Sequence, residues 1–204
     1  RYADDFIVMV KSAKAAERVK ASLTRFIEGR MRLVVNRVKT KAAPLRQCTF
    51  LGFQIGARGR VVWTVKARAR FKQRVREITR RNRGYRVQDV IDELRRYVSG
   101  WLNYFGISHT YNQVVELAEW VRRRVRLYYW KQWKRPRTRR RRLLALGIPR
   151  DEVRMATRSR KGYWRMSHNS VVQRALTNRW LHDQGVPDMR TSWIPLHYGS
   201  DARV

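Results

Sequence analysis

Between Val65 and Trp133 the apolar residues recur every three or four positions, and this period constrains the fold more than any other feature of the chain. Phe71, Val75 and Ile78 line one face of a first helix, which the breaker-rich Arg81-Asn82-Arg83-Gly84 should end. Val90, Ile91, Leu94, Tyr97, Val98, Trp101, Leu102 and Phe105 line a second. Leu117, Trp120, Val121, Val125 and Tyr128 form the inner face of a third, running from Gln113 to Trp133. A stripe repeated at the helical period has to be buried against another element, so three of them predict a compact bundle.

N-terminal to Val65 the signals change. The unbroken apolar run Phe6 to Val10 predicts a buried strand, and Ser12 offers an N-cap for a helix carrying Ala15, Val19, Leu23, Phe26 and Ile27, with Gly29 as its stop. Leu33 to Val35 and Thr49 to Ile55 read as β-type runs. Gly56-Ala57-Arg58-Gly59 reads as a hairpin turn into Val61, Val62 and Trp63. The fold class is therefore α+β: short antiparallel strands plus a helix, then an all-α region. Three segments follow, 1–65, 66–134 and 135–204. In the last, KRPRTRRRRLLALGI reads as a basic linker entering a short helix, Pro149 as the start of another, and Ser170 to Gln184 as a further helix stopped by Gly185.

Charge then says what the surface must meet. With 48 Lys+Arg against 15 Asp+Glu the net charge is +33, which calls for a polyanion, while 43% hydrophobic residues make this a folded basic protein rather than a disordered tail. No run approaches the roughly 18 apolar residues of a membrane-spanning helix, so nucleic acid is the expected partner and no membrane is. The single cysteine, Cys48, excludes an internal disulfide or a Cys-pair zinc module, sits in a context suited to packing, and points to a reducing compartment.

From Arg122 to Arg142 there are twelve Lys or Arg and no acid, interleaved with Tyr128, Tyr129, Trp130 and Trp133. Arg122, Arg123, Arg126, Lys131, Lys134, Arg137, Arg139, Arg140, Arg141 and Arg142 are the candidate RNA-binding residues. The last five lead, because Pro136 and the run of like charge argue against burial. Trp120 and Tyr128 are expected in the core, whereas Trp130 and Trp133 could serve either as core or as stacking platforms. His109, His168, His182 and His197 show no pairwise ligand spacing. Ser167-His168-Asn169 reads as a loop and helix cap.

Against this positive background stand the adjacent carboxylates Asp4 and Asp5. Two close carboxylates repel unless they share a proton or a cation, and Mg²⁺ is the cation whose oxygen-ligand preference fits. Successive side chains of a flat strand face opposite ways, so both can serve one site only at a turn, with Ala3-Asp4 at a hairpin tip and Phe6 to Val10 as the return strand. An Asp-rich turn with no metal is the plain alternative.

The stretch RYADDFIVMVKS resembles the catalytic loop of reverse transcriptases, especially those encoded by group II introns. In LVVNRVKTK, Asn36, Lys39 and Thr40 match the family's following Asn-x-x-Lys-Thr block, and FLGFQI, Phe50 to Ile55, resembles its primer-grip hairpin. RFKQRVREITRRNRGYRVQDVIDELRRYVSGWLNYF is similar to the thumb, or maturase-specific, domain. WRMSHNSVVQRALTNRWLHDQG is similar to the C-terminal part of bacterial members that lack an endonuclease.

The resemblance implies an RNA-directed DNA polymerase and splicing maturase, located in the cytoplasm within an intron ribonucleoprotein. It implies Asp4 and Asp5 as two of three carboxylates at a two-Mg²⁺ site, Lys39 beside the incoming nucleotide, and Phe50, Leu51, Gly52 and Phe53 as the primer grip. Group II intron RNA, an RNA template, a DNA primer and deoxynucleoside triphosphates are the implied partners. The family's fingers and first half of the palm, with the third carboxylate, have no counterpart in this sequence. The chain therefore reads as the C-terminal portion from the YADD motif onward, expected to be inactive in polymerisation alone. A non-catalytic RNA-binding maturase module or a decayed reading frame is the competing interpretation.

Overall fold

The computed structural model describes residue 2 and residues 4–198. The described chain is mostly helical with one small sheet, and it divides into two compact units with the boundary between Thr64 and Val65.

In the first unit, helix α1 (Ala13–Gly29) starts where Ser12 accepts a hydrogen bond from the Ala15 amide at 3.2 Å, the cap expected from its sequence. Strands β1 (Thr49–Phe50), β2 (Phe53–Ile55) and β3 (Val61–Trp63) form an antiparallel sheet in the order β1-β2-β3. The single run Thr49 to Ile55 is thus two strands. Leu51 and Gly52 both have positive φ, 51° and 85°, and fold it back with Phe50 opposite Phe53. That pair of left-handed residues is the signature of a two-residue hairpin whose twist matches its strands. The second hairpin turns over residues 56–60, closed by the Gly56 amide on the Arg60 carbonyl at 2.7 Å.

Two expected strands are not formed. Phe6 to Val10 has no strand partner among the described residues, and Phe6, Val8, Met9 and Val10 are exposed. Leu33 to Val35 is likewise outside any strand, with Val34 95% exposed. The reason is the same in both places: apolar side chains favour a strand, but a strand exists only where a neighbour takes its backbone hydrogen bonds. Among the described residues before Val65, Trp63 alone is buried, so α1 keeps its apolar face without a core of its own.

The second unit holds the core. Helices α2 (Val65–Ile78), α3 (Val87–Phe105) and α4 (Tyr111–Gln132) bury Phe71, Val75, Ile78, Val90, Ile91, Leu94, Val98, Trp101, Leu102, Leu117, Val121 and Val125, as their periodicity requires. Phe71 meets Trp101 with ring centroids 4.6 Å apart, and Trp101 stacks on Phe105 at 4.7 Å. Tyr128 is buried and donates its hydroxyl hydrogen to the Tyr85 carbonyl at 2.8 Å.

Six shorter helices complete the unit: α5 (Pro136–Ala145), α6 (Arg150–Arg158), α7 (Tyr163–Met166), α8 (Ser170–Ala175), α9 (Asn178–Asp183) and α10 (Met189–Tyr198). The single helix expected over Ser170 to Gln184 is broken in two. Thr177 accepts from the Trp180 amide at 3.1 Å and so starts α9 afresh, while Asn169 caps α8 by accepting from Val171 at 3.0 Å. Helix α10 packs on α3 and α4, where the Trp193 indole donates to the Ser108 carbonyl at 2.9 Å. No helix among the described residues is long and apolar enough to cross a membrane.

Candidate nucleic-acid interface

The segment expected as a basic linker entering a short helix is helical already from Pro136, so the arginine run itself lies on α5 (Pro136–Ala145). Pro136 occupies the first turn of α5, where its missing N–H costs nothing, and Leu143 anchors the helix by complete burial. Arg137, Arg140, Arg141 and Arg142 are exposed or half-exposed along it, and Lys134 is exposed just before it. Arg139 points the other way, 4.6 Å over the Trp130 ring and donating to the Trp130 carbonyl at 3.4 Å. Trp130 and Trp133 are both buried, which settles their open assignment as core.

Helix α4 sorts its own arginines. Arg126 is 8% exposed and donates through Nε to the Leu176 carbonyl and through Nη2 to Asn178 Oδ1, both at 2.9 Å. Burial and the neighbouring Arg122 lower its pKa to about 10. Expected on the RNA-facing surface, it is instead committed to bracing the α8–α9 break. Arg122 is half-buried, with its pKa lowered chiefly by desolvation. Arg124 donates to Thr79 Oγ1 at 2.8 Å and to the Arg76 and Thr79 carbonyls at 3.3 Å, capping the C-terminal end of α2. Desolvation, then the charges of Arg76 and Arg81, lower its pKa.

Trp120, expected in the core, is only half-buried. Lys72, Arg76 and Arg124 lie 5.9, 5.4 and 6.0 Å from its ring. A second aromatic centre stands on α7. Arg123 lies 3.9 Å over Trp164 and donates to its carbonyl at 3.3 Å, while Arg81, Lys131 and Arg139 surround Tyr163 at 5.4, 5.4 and 5.7 Å. Cations over ring faces are attracted by the ring quadrupole, so these guanidinium groups are held in place without a carboxylate.

Between these centres lies a cleft of about 640 Å³, lined by Arg76, Arg80, Arg81 and Asn82 from the end of α2, Arg124 and Leu127 from α4, and Trp164 from α7. A smaller one of about 310 Å³ is lined by Arg123, Lys161, Arg165, Met166, His168, Asn169 and Ser170. No acidic residue lines either. Arg76, Arg80, Arg81 and Trp164 are not among the residues that the densest run of charge points to. The signal for Arg80 and Arg81 in the sequence is RRNRG at a helix end, where cations gather around exposed carbonyls; nothing local marks Arg76 or Trp164.

The carboxylate pair lies in a turn. Tyr2 and Asp5 exchange backbone hydrogen bonds at 2.8 and 2.9 Å, and Asp4 sits between them; Arg1 and Ala3 lie outside the described residues. Both carboxylates are exposed, and no group of three potential metal ligands occurs among the described residues. The Asn36-x-x-Lys-Thr block is also a turn: Asn36 Oδ1 accepts from the Val38 and Lys39 amides at 3.1 Å, leaving the Lys39 side chain exposed. Phe50, Leu51, Gly52 and Phe53 are half-buried in the first hairpin.

A search of curated proteins found no match to this chain. Residues 68–147, from α2 to just beyond α5, match the family described as "Group II intron, maturase-specific domain". That span carries the cleft-lining residues of α2 and α4 and the exposed arginines of α5, while Trp164 of α7 lies beyond it. The match indicates a group II intron maturase function for this region, with intron RNA as the implied partner.

Proposed function

We propose that this protein is the splicing maturase and reverse transcriptase of a group II intron, working within the intron ribonucleoprotein. The observation that carries the maturase part is that the family match at residues 68–147 includes the α2 and α4 arginines of an acid-free cleft, which Trp164 of α7 completes. Structured RNA is bound mainly through its backbone and shape, with specificity drawn from unpaired bases, and this surface supplies both cations and aromatic rings. Splicing chemistry then belongs to the RNA, and the protein contributes neutralising charge and a rigid support.

The polymerase part rests on the YADD, Asn-x-x-Lys-Thr and FLGF resemblance. Asp4 and Asp5 supply hard oxygen donors suited to Mg²⁺, and the turn at Tyr2–Asp5 supports their use at one site. Mg²⁺ bound there would supply activation of a primer hydroxyl and stabilisation of the leaving pyrophosphate. Lys39 would neutralise phosphate charge, and residues 50–53 would position the primer end. Two carboxylates are one fewer than the resemblance implies, so residues 1–204 by themselves should not extend a primer.

A non-catalytic maturase module is the second reading, favoured by the scarcity of buried residues before Val65. Primer extension with Mg²⁺, run beside intron-RNA binding over a salt series, tests both. RNA binding without extension fits the proposal for this chain; robust extension overturns the two-carboxylate argument; weak, salt-insensitive binding overturns the maturase reading.

A further inference from the structure

We infer that the cleft at the C-terminal end of α2 captures one unpaired nucleotide of RNA, with its flanking phosphates on Arg76, Arg80 and Arg81 and its base against the indole of Trp164. The inference rests on the RNA-binding reading above and assigns a ligand to a site that the family match leaves unassigned. At about 640 Å³ the cleft falls in the size range of small-ligand pockets, roughly 300–1,000 Å³, and its lining joins four arginines to an aromatic ring with no acid to neutralise them. Arg76, Arg80 and Arg81 are exposed there. Glu77, beside Arg76 in sequence, is paired with Arg74, and Glu93 with Arg74 and Arg83.

The receptor is held in shape before anything binds. Arg124, fixed by Thr79 and two α2 carbonyls, forms one wall. Trp164 is held by Arg123, which stacks on the ring at 3.9 Å and bonds to its carbonyl, and yet the residue remains 39% exposed. A half-exposed tryptophan within a concave cationic site suits a base that has left its stack; paired bases in an A-form helix present only their edges and backbone. An acidic peptide would satisfy the arginines but give the indole no flat partner.

The test uses the full chain and two RNA hairpins carrying 2-aminopurine, one in the loop and one in the paired stem. Base-to-aromatic stacking predicts that Trp164→Leu weakens binding of the loop-labelled RNA between about 5-fold and 150-fold and abolishes fluorescence quenching of the loop probe. A fully paired RNA should bind the variant as it binds the wild type. Trp164→Phe should keep most of the affinity and the quench, and Arg80→Gln, which breaks no side-chain contact in the fold, should weaken loop binding while leaving thermal unfolding unchanged. Equal binding and quenching by wild type and Trp164→Leu would overturn the inference, as would equal losses on loop and paired RNA, or displacement of the loop RNA by polyglutamate at matched charge. In those cases salt-dependent RNA binding by the wild type still stands; its absence would sink the underlying reading instead.

Discussion

Arg126 donates its Nε hydrogen to the carbonyl of Leu176, 2.9 Å away, across fifty residues of sequence. The bond satisfies a backbone group at the end of α8 while the same guanidinium reaches Asn178 at the start of α9. Replacing Arg126 with Ala leaves the buried Leu176 carbonyl without its donor, while the exposed Asn178 can turn to water. A buried charged hydrogen bond is worth about 1.5–3 kcal/mol, so Arg126→Ala should lower unfolding stability by about that amount in a denaturant titration. RNA affinity per folded molecule should change little.

The arginines on the outer side of α5 should behave in the opposite way. Replacing Arg137, Arg140, Arg141 and Arg142 with Gln removes surface charge and no buried hydrogen bond, so unfolding midpoints should hold. Every phosphate that an arginine ceases to neutralise should flatten the plot of log affinity against log salt by about 0.9 on duplex and about 0.7 on single strands. Binding isotherms at several salt concentrations check the slope.

These two sets of substitutions mark the limit of what the sequence tells. Periodicity alone identifies the three long helices, because a helix that must bury a stripe writes that stripe every three or four residues: Phe71, Val75 and Ile78 are all buried. Caps are legible at Ser12 and Asn169 for an equally local reason. Burial of Arg126 is not, since its partners lie fifty residues away and a guanidinium reads the same in α4 whether it faces water or Leu176. Phe6 to Val10 forms no strand because strand propensity does not supply a partner strand. His109 and His197 illustrate the same gap: no ligand spacing links them in sequence, yet their rings stand 5.4 Å apart, with His197 donating to the Gly106 carbonyl at 2.7 Å.

Gly106 is the point where α10 meets the end of α3. A Cβ there would collide with the Leu102 carbonyl oxygen and with Leu196 Cδ1, and the first is backbone that cannot step aside. Gly106→Ala should therefore destabilise by about 1–3 kcal/mol, the usual cost of overpacking. Hydrogen exchange should localise the loosening to the Trp193 and His197 contacts.

Tyr129 gives a pH-dependent prediction. Its hydroxyl is buried with no hydrogen-bond partner among the described residues, and burial pushes its pKa up to about 12. The folded state therefore favours the neutral phenol. That contribution is complete below the unfolded pKa of about 10 and is lost as pH rises toward the folded value. Tyr129→Phe has no proton to lose, so it should be at least as stable as wild type near neutrality. Its advantage should widen from about pH 10 to pH 12 in paired thermal melts.

If the helical unit from Val65 onward is an RNA-binding maturase surface, as proposed, its exposed arginines should set how tightly it holds RNA. Equilibrium binding of a group II intron RNA to the full chain over a series of salt concentrations tests it most directly. Tight binding is expected, its logarithm falling steeply and linearly with log salt, with a shallower slope when Arg80, Arg81 and the outer α5 arginines are changed to Gln. Weak binding that ignores salt, or a slope unmoved by those substitutions, would contradict it.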